Sequence, residues 1–141
     1  MSSTQENYRL DRHAVDAEHE AQIGLVEALV SAVENPAQAP AAGELMEQLQ
    51  SFCSAHFMSE ELLMRLCAYP GYDDHAADHE RTLEVLAAIA KVLVGGEREA
   101  ALAQLAEVKG FLTRHIRSRD AAFTDYYRRW SEVDGGGQVP Q

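Results

Sequence analysis

Apolar residues recur every three or four positions along most of this chain, and that spacing predicts helices. From Ala14 to about Glu34 the inward stripe reads Val15, His19, Ile23, Val26, Val30 and Val33, and the pattern stops at Asn35-Pro36. Residues 35–40 carry two prolines and predict a loop. A second helix is expected from about Ala42 to Ala68, with Leu45, Leu49, Cys53, His56, Glu60, Leu63 and Cys67 facing inward. Tyr69-Pro70-Gly71 ends it. Asp73 or Asp74 suits the N-cap of a third, running to about Val94 with His75, His79, Thr82, Leu86, Ile89 and Leu93 inward, and Gly95-Gly96 stops it. A fourth begins near Glu97, with Ala101, Leu105, Val108, Leu112 and His115 inward. Phe123, Tyr126, Tyr127 and Trp130 then read as a short packing helix. No strand-like alternation appears. Four amphipathic helices on short loops predict an all-α, antiparallel up-down-up-down four-helix bundle. The bundle is expected over residues 13–133, after a polar N-terminal arm (1–12) and before a disordered Gly-rich C-terminal tail (134–141).

Composition narrows the classes. The chain of 141 residues is one domain's length, 46% hydrophobic and 25% charged, as an ordinary soluble protein is. Apolar runs are too short for a membrane span, and Met1 to Glu6 has no signal-peptide character, so the expected compartment is the cytoplasm. The net charge of −11 repels phosphate backbones and argues against nucleic-acid binding. Arg114, Arg117, Arg119, Arg128 and Arg129 gather near the C-terminus, and a solvated helix face explains them better than a binding patch. Cys53 and Cys67 lie too far apart along one helix to bridge each other and read as reduced core thiols. The expected oligomeric state is a monomer.

The chemistry lies in the polar residues that interrupt the apolar stripes. His56 and Glu60 are four residues apart, as are His75 and His79. That spacing advances about 400° on a helix, so each pair leaves one face a turn apart. His19 and His115 fall on the other two stripes, whereas His13 lies off them and is expected to be exposed. Burying five imidazoles and a carboxylate in one small core leaves several kcal/mol of desolvation uncompensated unless a metal binds them. Asp120 is harder to place. It follows His115 by five residues, roughly 500° on an α-helix, and shares its face only if the helix unwinds, bulges or ends between Ile116 and Arg119. Spacing alone leaves its role open.

The pieces Val15-Asp16-Ala17-Glu18-His19, His56-Phe57-Met58-Ser59-Glu60-Glu61, Tyr69-Pro70-Gly71, His75-Ala76-Ala77-Asp78-His79-Glu80, and His115-Ile116 followed by Asp120 stand in one order across residues 15–120. Together they resemble a bacterial hemerythrin, a family of small oxygen-binding bundles with a non-haem di-iron centre. The resemblance implies two Fe ions bridged by an oxo or hydroxo group. One iron would take His75, His79 and His115, the other His19 and His56, with Glu60 and Asp120 bridging. Two octahedral metals offer about twelve positions, and this set leaves one, on the iron held by His19 and His56. A histidine-rich set carries less anionic charge than the carboxylate-rich oxidases, so the resemblance implies reversible binding of molecular oxygen (transport, storage or delivery) by a protein that is not an enzyme. An oxygen or redox sensor, and a di-iron enzyme turning over peroxide or nitric oxide, are the alternatives, with adventitious zinc the blandest.

Gln22, Ile23, Phe111 and Ile116 are the candidates for the oxygen pocket. Departures from the family's usual pattern fall at Glu18, commonly Gln, at Gln22, commonly apolar, and at Phe111, often Trp. Gln22 either makes the pocket polar and speeds autoxidation, or faces a neighbouring helix and hydrogen-bonds there.

Overall fold

The computed structural model describes residues 12–133, with side chains from residue 14 onward. The expected N-terminal arm, the C-terminal tail and the side chain of His13 lie outside the described residues. Four long helices, α1 (Arg12–Glu34), α2 (Ala39–Leu66), α3 (Tyr72–Val94) and α4 (Arg98–His115), are followed by a π-helical turn (Ile116–Asp120) and α5 (Ala121–Val133). Each helix packs on its chain neighbours and α1 closes on α4, which makes the expected antiparallel four-helix bundle. No strand occurs among the described residues.

The core follows the apolar stripes in the main, although Ile23, Val30, Leu45, Leu63 and Leu93, expected inward, are half-buried, and Leu29, Met46 and Met64 from beside the stripes are buried. Val26, Leu29, Leu49, Cys53, Leu86, Ile89, Leu105 and Leu112 are all fully buried in one cluster. Tyr127 and Phe123 from α5 form a second cluster with Met64 and Cys67 at the end of α2, so the aromatic segment packs as expected. Both cysteines are free and buried. The five C-terminal arginines are exposed.

Two boundaries differ from expectation. Pro36 opens a 3-10 turn (Pro36–Gln38) whose cap is Asn35, its side chain accepting from the Ala37 N–H, and Pro40 sits in the first turn of α2. A first-turn proline lacks only an N–H that has no helical partner there, so the loop is shorter than two prolines suggest. Neither Asp73 nor Asp74 caps α3. Gly71 holds that position, and the two aspartates lie in the first turn, facing the positive end of the helix dipole. Tyr69 occupies the space beside Gly71, where an added Cβ would meet its ring at 2.9 Å.

The ends of α2 and α3 use one device with unequal fit. Ala68 N–H bonds Arg65 O and Tyr69 N–H bonds Met64 O; Gly96 N–H bonds Leu93 O and Glu97 N–H bonds Val92 O. Both are Schellman closures with a left-handed residue after the helix. Gly96 takes that conformation at φ 78° freely, whereas Ala68 takes it at φ 51° against its own Cβ. Ala68→Gly is expected to raise stability by about 1 kcal/mol, read as a higher urea midpoint at unchanged m-value.

Candidate metal centre

Each long helix delivers part of one buried cluster. α1 carries His19, α2 His56 and Glu60, α3 His75 and His79, and α4 ends on His115. The π turn then solves the placement of Asp120. Its i→i+5 geometry brings residues five apart into register, which a regular α-helix cannot do. His115 Nε2 and Asp120 Oδ1 stand 3.0 Å apart.

Ligand-type atoms of Glu60, His75, His79, His115 and Asp120 all lie within 4.8 Å of one another, and so do those of His19, His56, Glu60 and Asp120. The two groups share both carboxylates. Across them, Asp120 Oδ1 lies 2.8 Å from His75 Nε2, and Asp120 Oδ2 lies 3.1 Å from His19 Nε2. Glu60 Oε1 is 3.1 Å from His79 Nε2 and 3.2 Å from His75 Nε2, and Glu60 Oε2 is 3.6 Å from His56 Nε2. All seven sequence-predicted residues therefore meet in one place.

Apart from the hydrogen bond between His75 Nε2 and Glu60 Oε1, these contacts do not satisfy the groups that make them. Nε2 of His19, His56, His79 and His115 and Oδ1 of Asp120 are buried without a hydrogen bond, despite polar neighbours at 2.8–3.6 Å. Their lone pairs converge on common points rather than on one another. A positive ion at those points would supply the missing partner, and nitrogen with carboxylate oxygen is a donor set that suits iron.

The outer ring nitrogens explain that convergence. Nδ1 of His56 donates to Glu18 Oε1 at 2.6 Å, Nδ1 of His79 to Glu61 Oε2 at 2.8 Å, and Nδ1 of His115 to Asp78 Oδ2 at 3.0 Å. A carboxylate on Nδ1 fixes the tautomer that leaves the Nε2 lone pair free for a metal. Arg119 holds Asp78 in turn, at 2.6 Å. Sequence reasoning missed these roles, although all three carboxylates sit inside the fragments that carry the resemblance. His75 differs: its Nδ1 is buried without a hydrogen bond, with the Tyr69 and Phe123 rings edge-on to it. Asp78→Asn keeps the size but lets the amide offer its N–H face to His115. Metal affinity in a chelator competition is expected to fall about 10–100-fold.

Charge in the metal-free cluster is strongly redistributed. Burial pushes His75 down, but the attraction of Asp120 and Glu60 overrides it and lifts its pKa to about 9. His19 moves the same way, burial opposing and Asp120, Glu60 and Asp16 prevailing. Burial pushes Asp120 up, yet His115, His19 and His75 hold it well below the usual carboxylate range. Glu60 is likewise lowered against its burial, by His75 and His79.

The residues expected to line an oxygen pocket fall in different places. Gln22 is fully buried and its side-chain amide donates to Cys53 Sγ on α2 at 3.2 Å, as the neighbouring-helix alternative has it. Ile23 packs against the main core cluster. The Phe111 ring lies nearly parallel to His115 at 6.2 Å, on the three-histidine side. Ile116 is half-buried and lines a cavity that reaches His19 and Asp120. Phe57 was not singled out, yet its ring stacks on His79 at 4.0 Å and fixes that imidazole's plane.

A four-helix bundle closed around buried imidazoles that share two carboxylates defines a protein built to hold cations. The family model of the hemerythrin HHE cation-binding domain matches residues 10–126, and the chain belongs to that family. No curated protein and no solved structure matches the chain. No helix among the described residues is long and apolar enough to cross a membrane.

Proposed function

We propose that the chain binds two iron ions in this cluster and reversibly binds molecular oxygen at the one held by His19 and His56. The observation that supports this reading is the inequality of the two donor groups. Three imidazoles stand in one and two in the other, while Glu60 and Asp120 belong to both. The group with fewer nitrogens is the one with capacity for a further small ligand. Two ferrous ions would supply the two electrons, one from each, that reversible oxygen binding draws on.

The chain's own residues set the conditions for reversal. Glu60 and Asp120 tie the two metal positions together. Five neutral imidazoles keep the anionic charge low, which favours the ferrous state over strongly oxidising ones. His75, His79 and Asp120 are at most 2% exposed, so the three-imidazole side is shielded from bulk water, whereas His19 and His56, at 9% and 8%, leave the other side the more accessible to a small ligand. Glu18 fixes His56, one of the two imidazoles of the smaller group, by accepting a short hydrogen bond from its Nδ1 on an exposed carboxylate.

The test is anaerobic loading with ferrous iron, followed by optical spectroscopy while oxygen is added and then removed. A charge-transfer band is expected to appear and then vanish over repeated cycles. A band that never reverses, or steady consumption of oxygen, peroxide or nitric oxide, replaces the carrier with an enzyme.

A further inference from the structure

A cavity of about 310 Å³ lies beside the cluster, between the first turns of α1 and the start of α5. Val15, Ile116 and Ala121 form its apolar wall, His19 and Asp120 its inner end, and Asp16, Thr124 and Asp125 its polar side. Asp120 is 2% exposed; its Oδ2 lies 3.1 Å from His19 at this inner end, while its Oδ1, buried without a hydrogen bond, faces His75 and His115 in the cluster beyond.

The acidic groups around the cluster divide into two kinds. Glu18, Glu61 and Asp78 are committed to imidazole nitrogens. Asp16 and Asp125 touch none of the imidazoles. Both are exposed; Asp125 pairs with Arg128 at 3.0 Å, and Asp16 has no ion-pair partner among the described residues. Asp16 nonetheless lies close enough for its charge to act on His19. Neither carboxylate orients a metal-facing side chain, and both border the cavity that leads to one.

We infer that this cavity is the port through which cations reach the cluster, with Asp16 and Asp125 drawing them in and Asp120 receiving them. The inference rests on reading the cluster as a metal centre. A divalent ion crossing an apolar wall loses its water with nothing in return, whereas carboxylates along the way replace that water stepwise. Carboxylates at the mouth of a low-dielectric cleft also concentrate cations and raise their association rate, Asp16 with its full charge and Asp125 with the charge it shares with Arg128. Asp120 suits the receiving role because it belongs to both donor groups. An ion it takes up is already at either position. The same charge disfavours anions, so the port selects cations and neutral molecules.

The test mixes Co(II) with the metal-free full-length chain in a stopped-flow instrument and follows the visible bands of bound cobalt. At low ionic strength the double variant Asp16→Asn/Asp125→Asn is expected to load about five- to tenfold more slowly than the parent, reaching the same final occupancy in excess Co(II). Salt is expected to slow the parent and to change the double variant little, because it screens the same attraction. Glu44→Gln/Glu47→Gln removes two charges at the other end of α2 and is expected to load within about twofold of the parent. Should the acidic double variant fail to fold, Ala121→Phe fills the cavity without touching charge and is expected to slow loading at every salt concentration. Equal rates for variant and parent, at equal final occupancy, overturn the port alone. A parent that takes up no cobalt overturns the port together with the metal centre.

Discussion

Asp120→Asn is expected to reduce bound iron from two ions per chain to one or none, and to weaken the metal-free fold as well. The reason is the position of this carboxylate. It belongs to both donor groups, it lies within 3.1 Å of His19, His75 and His115, and it is buried. An amide of the same size offers one neutral oxygen where two charged ones stood. Without metal, the three imidazoles lose the anion that compensates their burial, and removing one member of such a buried set destabilises by about 3–5 kcal/mol. Iron analysis and urea unfolding with and without metal read the two effects separately. Retention of two irons by Asp120→Asn would remove Asp120 from the centre, and with it the functional meaning of the π turn.

Metal removal is the second large effect, and its pH dependence has a definite sign. With free metal about a thousandfold above Kd, each site stabilises the fold by about 4 kcal/mol, so two sites raise Tm by roughly 15–30 °C. In the metal-free protein His75 titrates near 9, above the roughly 6.5 of an unfolded histidine. Its contribution is complete below about pH 6.5 and is lost as pH rises through 9. Glu60 and Asp120 are held below their unfolded values, so theirs is complete above about pH 4.3 and lost as pH falls. The metal-free protein is therefore most stable in mildly acidic solution and weakens toward pH 9. Metal needs deprotonated imidazoles, so loading gains where the metal-free protein loses. The Tm difference between the loaded and metal-free forms is expected to widen from about pH 6 to about pH 9. A constant or narrowing gap contradicts the assignment of these imidazoles to the metals.

What could be read from the sequence follows a physical line between local and distant geometry. The helices were legible because burial imposes a 3.6-residue period, and stripes such as Ala101, Leu105, Val108, Leu112 and His115 are buried throughout. His56 with Glu60 and His75 with His79 were legible for the same reason, since four residues is one turn. Asp120 was not settled by spacing, because five residues fit one face only in a π turn, and nothing in Ile116-Arg117-Ser118-Arg119 announces one. The resemblance to hemerythrins supplied that residue; the turn supplies the physical reason.

Contacts between helices were out of reach. Glu18 is 38 residues from the His56 that it orients, and Gln22 is 31 residues from Cys53. Helix period shows which face such residues occupy, but not the partner across the interface. The acidic side of the cavity belongs to the same class, since Asp16 and Asp125 come from opposite ends of the bundle sequence and meet only in the fold. Local turn chemistry misled at Pro40, where a proline taken for loop lies inside a helix's first turn.

The central claim is that two cations sit in this cluster in unequal surroundings, since the capacity for oxygen follows from the missing nitrogen on one of them. Mössbauer spectroscopy of the protein loaded with ⁵⁷Fe reads that inequality directly, because each iron environment gives its own quadrupole doublet. The expected spectrum of the oxygenated form has two distinct doublets of equal area, from one iron near His75, His79 and His115 and one near His19 and His56. One doublet from two identical irons, or iron at one per chain, would contradict it.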